Sequence, residues 1–207
     1  MLIELQNGLE RLYRIETDLC VEDFLLDESA RAEADVERAP REQLLLAEDV
    51  DGLSVGLFLD QNVLANLGRV MVLEDIEGEE LEAFLLALEG VSHFVYVTWK
   101  AKRDASVSAL ELELQAEVDK FVTCLLSGVA PTKELRRRLY VDVEFHQDLS
   151  DEERERYQLA NRRAYQYTGW LERKYLKSKQ IPAMLREVRS FYRLPLDGKI
   201  LRIRECS

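Results

Sequence analysis

The most varied set of ligand-type side chains lies within eight positions, VDVEFHQD at 141–148. Asp142, Glu144, His146 and Asp148 alternate with Val141, Val143 and Phe145, so on a strand the four polar side chains share one face. Carboxylates with an imidazole can hold a divalent metal, which makes Asp142, Glu144 and His146 candidate ligands. The same pattern describes an edge strand with its apolar side inward and its polar side in water. Spacing does not force the donors together, because alternate residues stand roughly 6.5 Å apart along a strand. The solvated edge is the stronger reading, and no stoichiometric metal or other cofactor is expected.

Other chemistry is sparse. The chain has two histidines, and His93 sits in the apolar run VSHFVYVTW, where a core imidazole is expected. There is no glycine-rich phosphate loop, GxSxG, HExxH or EF-hand pattern. Glu117 falls within an apolar helical arc with Leu110, Leu114, Phe121 and Cys124, and an unpaired charge there would be costly. Lys120 or an arginine from the C-terminal part would partner it; the alternative roles are general acid or metal ligand. Cys20, Cys124 and Cys206 are odd in number, far apart and without CxxC. They read as reduced thiols of a cytoplasmic protein.

The better candidate is a cationic surface. At helical pitch Tyr157, Ala160, Ala164, Tyr167, Leu171 and Tyr175 gather on one packing face. Along its flank run Arg156, Arg163, Trp170 and Lys177 at intervals of seven, with Lys174 among them. Basic side chains around an exposed Trp suit an acidic protein partner, a nucleic acid or an anionic surface. The competing possibility is that acidic parts of the chain cover this flank and bury Trp170. Charge is unevenly spread: residues 1–130 carry 10 Lys and Arg against 28 Asp and Glu, whereas residues 131–207 carry 18 against 12. Complementary packing of the two parts, or an acidic partner for the basic one, would each account for this.

The elements that position these residues follow from caps and periodicity. SALELELQAEVDKFVTCLLSG at 108–128 alternates like a strand and also repeats like a helix. Its Leu, Glu, Gln and Ala are strong helix formers, Ser108 and Glu111 have capping-box spacing, and Gly128 suits a left-handed cap. A helix over 109–126 is predicted, with Leu112 off the main stripe as on a central helix packed on two sides. Residues 43–47 and 53–59 read as a hairpin around EDVDG, and Asp60 caps a short helix to Leu67, ended by Gly68. Glu79–Glu89 reads as a helix closed by Gly90, and Val91–Trp99 as a central strand. The acidic stretch 17–37 is helix-like up to Pro40, and Val70–Glu74 is a further strand candidate. After Pro131, a helix is predicted over 133–139 and a strand over 141–145. A capped helix from Ser150 to about Lys177 follows, then one starting at Pro182 and ending before Pro195.

These readings predict an α+β fold: a small, mainly antiparallel sheet from 43–59 and 91–99 covered by helices, with a helical C-terminal part. An acidic part (1–130) and a basic part (131–207) would form one globular unit. No apolar run approaches a membrane span, and MLIELQNGLERL lacks the charge-then-apolar order of a signal peptide, so a cytoplasmic protein without membrane contact is expected. The functional expectation is a non-catalytic interaction or regulatory protein, homo-oligomeric or not, using Arg156, Arg163, Trp170, Lys174 and Lys177. A nucleic-acid binder and a small metal-dependent enzyme are the alternatives.

Overall fold

The hairpin expected at residues 43–59 forms. In the computed structural model, which describes residues 1–33, 40–49, 52–74, 76–145 and 149–206, strands β2 (Glu42–Asp49) and β3 (Gly52–Leu59) pair antiparallel. Gln43 stands opposite Phe58, and Asp49 opposite Gly52; Val50 and Asp51 of the expected turn lie outside the described residues. A two-residue strand, β1 (Leu25–Leu26), pairs parallel with β3, giving the order β1-β3-β2. The sheet is therefore small and mixed rather than antiparallel throughout, within an α+β fold.

The third strand expected from the sequence, Val91–Trp99, is instead the second half of a 24-residue helix, α4 (Gly78–Ala101). Every residue from Gly90 to Lys100 is buried. A helix covered on all sides shows no polar stripe, so its sequence reads as an uninterrupted apolar run and mimics a central strand. Gly90 is not a cap but a close-approach site. A Cβ there would lie 2.8 Å from Leu57 Cδ1 of β3 and 3.0 Å from Glu42 Oε1 of β2, so only a hydrogen lets the helix settle on the sheet. His93 is buried on this helix, with Nδ1 3.7 Å from Glu42 Oε1. The helix is long and apolar enough to cross a membrane by length and composition, but 72% of its apolar window is buried inside the fold.

The acidic stretch 17–37 is not one helix. A 3-10 turn (Val21–Phe24), β1 and the short helix α2 (Glu28–Glu33) replace it, and residues 34–37 lie outside the described residues. Buried side chains divert the backbone. Gln6, on α1 (Leu2–Tyr13), donates to Leu19 O at 2.6 Å and accepts from Val21 N at 2.8 Å. Asp60 caps α3 (Gln61–Leu67) through Asn62 N, as expected, whereas Val70–Glu74 is irregular rather than a strand.

These elements belong to a first compact unit, Met1–Glu10 with Ile15–Ser106; Arg11–Arg14 and Val107–Ser207 form the second. The change of charge at 130/131 falls inside the second unit. There α5 spans Ala109–Leu126 as predicted, with the Ser108 hydroxyl accepting from Glu111 N and Gly128 at φ +71°. It packs against α6 (Thr132–Tyr140) and α7 (Asp151–Leu171). The capping box of α7 is complete: Ser150 Oγ accepts from Glu153 N, and Glu153 Oε2 accepts from Ser150 N. A π-helical turn (Glu172–Leu176) ends α7, and α8 (Ile181–Tyr192) begins with Pro182 in its first turn. Beyond Pro195 a further helix, α9 (Leu196–Glu205), was not anticipated.

Two glycine replacements test this packing. Gly90→Val should destabilise the protein by about 2 kcal/mol or more through overpacking. Gly8→Ala, on α1 with nothing within 4 Å of its Cβ position, should stabilise it by about 0.5–1 kcal/mol through helix propensity. Denaturant melts of the two variants should move in opposite directions.

Candidate functional site

Inside the second unit four side chains sealed from water form a hydrogen-bonded chain. Lys199 of α9 donates from Nζ to Gln115 Oε1 on α5. Gln115 donates from Nε2 to Asp119 Oδ1 at 2.7 Å, one turn further along, and Tyr13 donates its hydroxyl to the same oxygen. Tyr13, Gln115 and Lys199 are 0% exposed and Asp119 1%. The Lys199 ammonium also lies 4.7 Å from the ring centre of Phe191 and 5.8 Å from that of Tyr192, both on α8. The Tyr192 ring stacks on Tyr13 at 3.9 Å. Gln115 is the coupling piece, because its amide accepts from the cation and donates toward the anion. Burial, and then the charge of Asp119, push the Tyr13 hydroxyl far above its ordinary pKa, so it remains a donor. General acid–base chemistry needs a substrate atom within reach, and these groups admit none. The chain is a clamp joining α5, α8, α9 and the last turn of α1.

That clamp positions arginines. Arg189 Nε donates to Leu12 O at 2.6 Å, and Arg193 Nη2 donates to Tyr13 O at 2.8 Å, satisfying carbonyls that the helix end leaves open. Arg14 follows at φ +53°. Arg14, Arg186, Arg189 and Arg193, with Pro182 and Leu185, line an open cleft of about 520 Å³. Burial, and then the neighbouring charges of Arg14 and Arg193, lower the pKa of Arg189. Among the described residues no carboxylate pairs with any of the four.

The residues singled out on α7 and just beyond it divide into two groups. Arg156 is half-buried with Nε 3.8 Å from Glu113 Oε1, so its charge is met within the unit. Arg163, also half-buried, donates to Gln166 Oε1 at 3.1 Å. Trp170 is half-buried between Tyr167, stacked at 5.9 Å, and Tyr175, edge-on at 5.5 Å. Lys174 and Lys177 are exposed, and Lys174 Nζ lies 4.5 Å over the Trp170 ring. A seven-residue stripe requires regular pitch, and the π turn interrupts it: Lys177 N bonds to Glu172 O, five residues back.

The metal reading of 142–146 loses its premise. Val141–Phe145 is irregular rather than a strand, and Val141 and Val143 are exposed, so there is no inward apolar face. Asp142 is bonded by Arg137 Nη1, Glu144 is exposed, and His146 and Asp148 lie outside the described residues. Glu117 has its bland partner, Lys120 Nζ at 2.7 Å.

The sequence carried signals for the parts that were missed. Gln115 and Asp119 stand four apart on the second side of α5, and Arg186, Arg189 and Arg193 recur at three and four along α8. Lys199, Tyr13 and Arg14 join them only through tertiary contact.

The clamp and the buried tyrosines of the same unit can each be tested. Lys199→Met removes the cation from this sealed hydrogen-bonded chain and should cost about 3–5 kcal/mol. Adding Asp119→Leu should recover part of that loss, which a double-mutant cycle in urea measures. Second, Tyr13, Tyr140 and Tyr167 all have raised pKa values, chiefly through burial. The folded state therefore holds protons that the unfolded chain releases from about pH 10 upward. Their contribution to stability is complete below that pH and is lost as pH rises above it. Melting temperature should fall steeply in that range, and tyrosinate absorbance should show these three titrating only with unfolding.

No family model, curated protein or solved structure matches this chain, so its functional reading rests on the geometry above.

Proposed function

We propose that this is a non-catalytic interaction protein that takes an acidic protein partner on its basic C-terminal helices, with Trp170 as anchor and Lys174, Lys177 and Arg163 around it. The observation that carries the reading is the platform at the end of α7. An exposed ammonium lies 4.5 Å over a half-buried indole, on a π-helical turn. Among the described residues no carboxylate pairs with Arg163, Lys174 or Lys177. Tryptophan and arginine are among the residues that most often dominate binding energy at protein interfaces, and π turns recur at functional sites. The sealed state of Lys199, Asp119 and Tyr13 supports the non-catalytic half of the reading. In this reading Arg156, 3.8 Å from Glu113, serves the fold rather than the partner.

The experiment is charge reversal with two readouts, melting temperature and retention of the protein on immobilised polyglutamate. Lys174→Glu with Lys177→Glu should leave melting nearly unchanged, since exposed charges contribute little, and should abolish retention. Arg156→Glu should lower the melting temperature by setting a carboxylate against Glu113. Retention unchanged in the double variant would reject the surface. Stronger retention on a single-stranded oligonucleotide than on polyglutamate would favour a nucleic-acid partner instead.

A further inference from the structure

A second feature of the same unit points to a ligand independently of the Trp170 platform. The chain holds 40 acidic residues against 28 basic ones, so a carboxylate is the easiest neighbour for any arginine to find. Arg137 and Arg138 share Glu134, and Arg136 holds Glu172. Four arginines nevertheless line one cleft and, among the described residues, none has an acidic partner. Like charges gathered without a counter-ion repel; burial first, and then the charges of Arg14 and Arg193, lower the pKa of Arg189. The four also differ in what they do. Arg189 and Arg193 are anchored, their hydrogen bonds to Leu12 O, Tyr13 O and Arg189 O fixing the floor of the cleft. Arg14 and Arg186 are exposed and donate no hydrogen bond within the described residues.

We propose that this cleft binds a di- or triphosphate group, gripped by Arg14 and Arg186 over a floor set by Arg189 and Arg193. Guanidinium presents its N–H donors as a planar fork that matches phosphate oxygens two at a time, which an ammonium does not. Four positive charges around one space call for a ligand that concentrates several negative charges. A condensed phosphate does so, and a single carboxylate does not. The cleft volume of about 520 Å³ lies within the roughly 300–1,000 Å³ typical of organic-ligand sites. Leu185 and Pro182 on its wall offer apolar surface to whatever the phosphates carry. Inorganic polyphosphate and nucleotides share this chemistry, so the test separates them.

Binding of tripolyphosphate, pyrophosphate and a nucleoside triphosphate to the full chain is measured by calorimetry and thermal shift, with orthophosphate at matched ionic strength as control. One saturable site is expected, weakening as salt is raised. Arg14→Gln with Arg186→Gln should reduce tripolyphosphate affinity at least tenfold while the ligand-free melting temperature stays level or rises, because repulsion is relieved. Arg14→Lys with Arg186→Lys keeps the charge, removes the fork, and should bind with intermediate affinity. A nucleoside triphosphate that binds more tightly than tripolyphosphate identifies a nucleotide site; equal affinities mean that only the phosphate chain is read. The Lys174→Glu, Lys177→Glu variant should bind tripolyphosphate normally, so loss of polyglutamate retention and loss of phosphate binding are separable results. Absence of saturable binding by all three polyanions overturns the proposal. So does undiminished binding in the Gln variant, or a lower ligand-free melting temperature in it, which would mark the arginines as structural.

Discussion

A buried ammonium that reaches a buried carboxylate through one amide organises the second unit. Taking either ion out of water costs several kcal/mol, and the attraction between them offsets that only when remaining donors and acceptors are met. Here Gln115 transmits the interaction between Lys199 and Asp119, Tyr13 completes the carboxylate, and the rings of Phe191 and Tyr192 face the cation. The partners come from α5, α8, α9 and the end of α1, so the cost of a missing group restricts how those helices can pack. Phe191 also stacks on Tyr167 at 4.0 Å, which extends the same ordered core to α7.

Surface chemistry follows from that interior. With Tyr192 held against Tyr13, α8 brings Arg189 and Arg193 onto the open carbonyls at the end of α1, and Arg14 and Arg186 are left beside them in solvent. Arginine thus serves two purposes in one cleft: backbone capping by two residues and, among the described residues, charge without an acidic partner from two others. The α7 end works differently. Arg156 is answered by Glu113 within the unit, whereas among the described residues Lys174 is answered by the rings of Trp170 and Tyr175. A net charge of −12 therefore hides two cationic surfaces, because placement rather than total charge decides what a partner meets.

Local signals are legible where one short stretch contains the whole cause. Ser108 with Gly128, Ser150 with Glu153, Asp60 with Gly68, and Pro182 each stop or start a helix through groups within a few residues. The hairpin was legible for the same reason. Val91–Trp99 was not, since periodicity vanishes when every face is buried, and the β-branched and aromatic residues there favour the wrong answer. Gly90 has the local signature of a helix end, yet its missing side chain serves contact with Leu57 and Glu42, far away in sequence. Val141–Phe145 had perfect alternation but no sheet to join.

By itself the sequence determined the α+β class, the capped helices of the second half, the β2–β3 pairing and the cationic character of the C-terminal part. Those follow from interactions spanning a few residues, or from composition. Tertiary structure alone decided that α4 is a helix, that Lys199 and Asp119 are joined, and that Arg14 meets arginines more than 170 positions later in the chain. The reason is physical. Burial on all sides erases the pattern that marks an element, and a charge acquires its partner, or is left without one, only when distant segments are brought together.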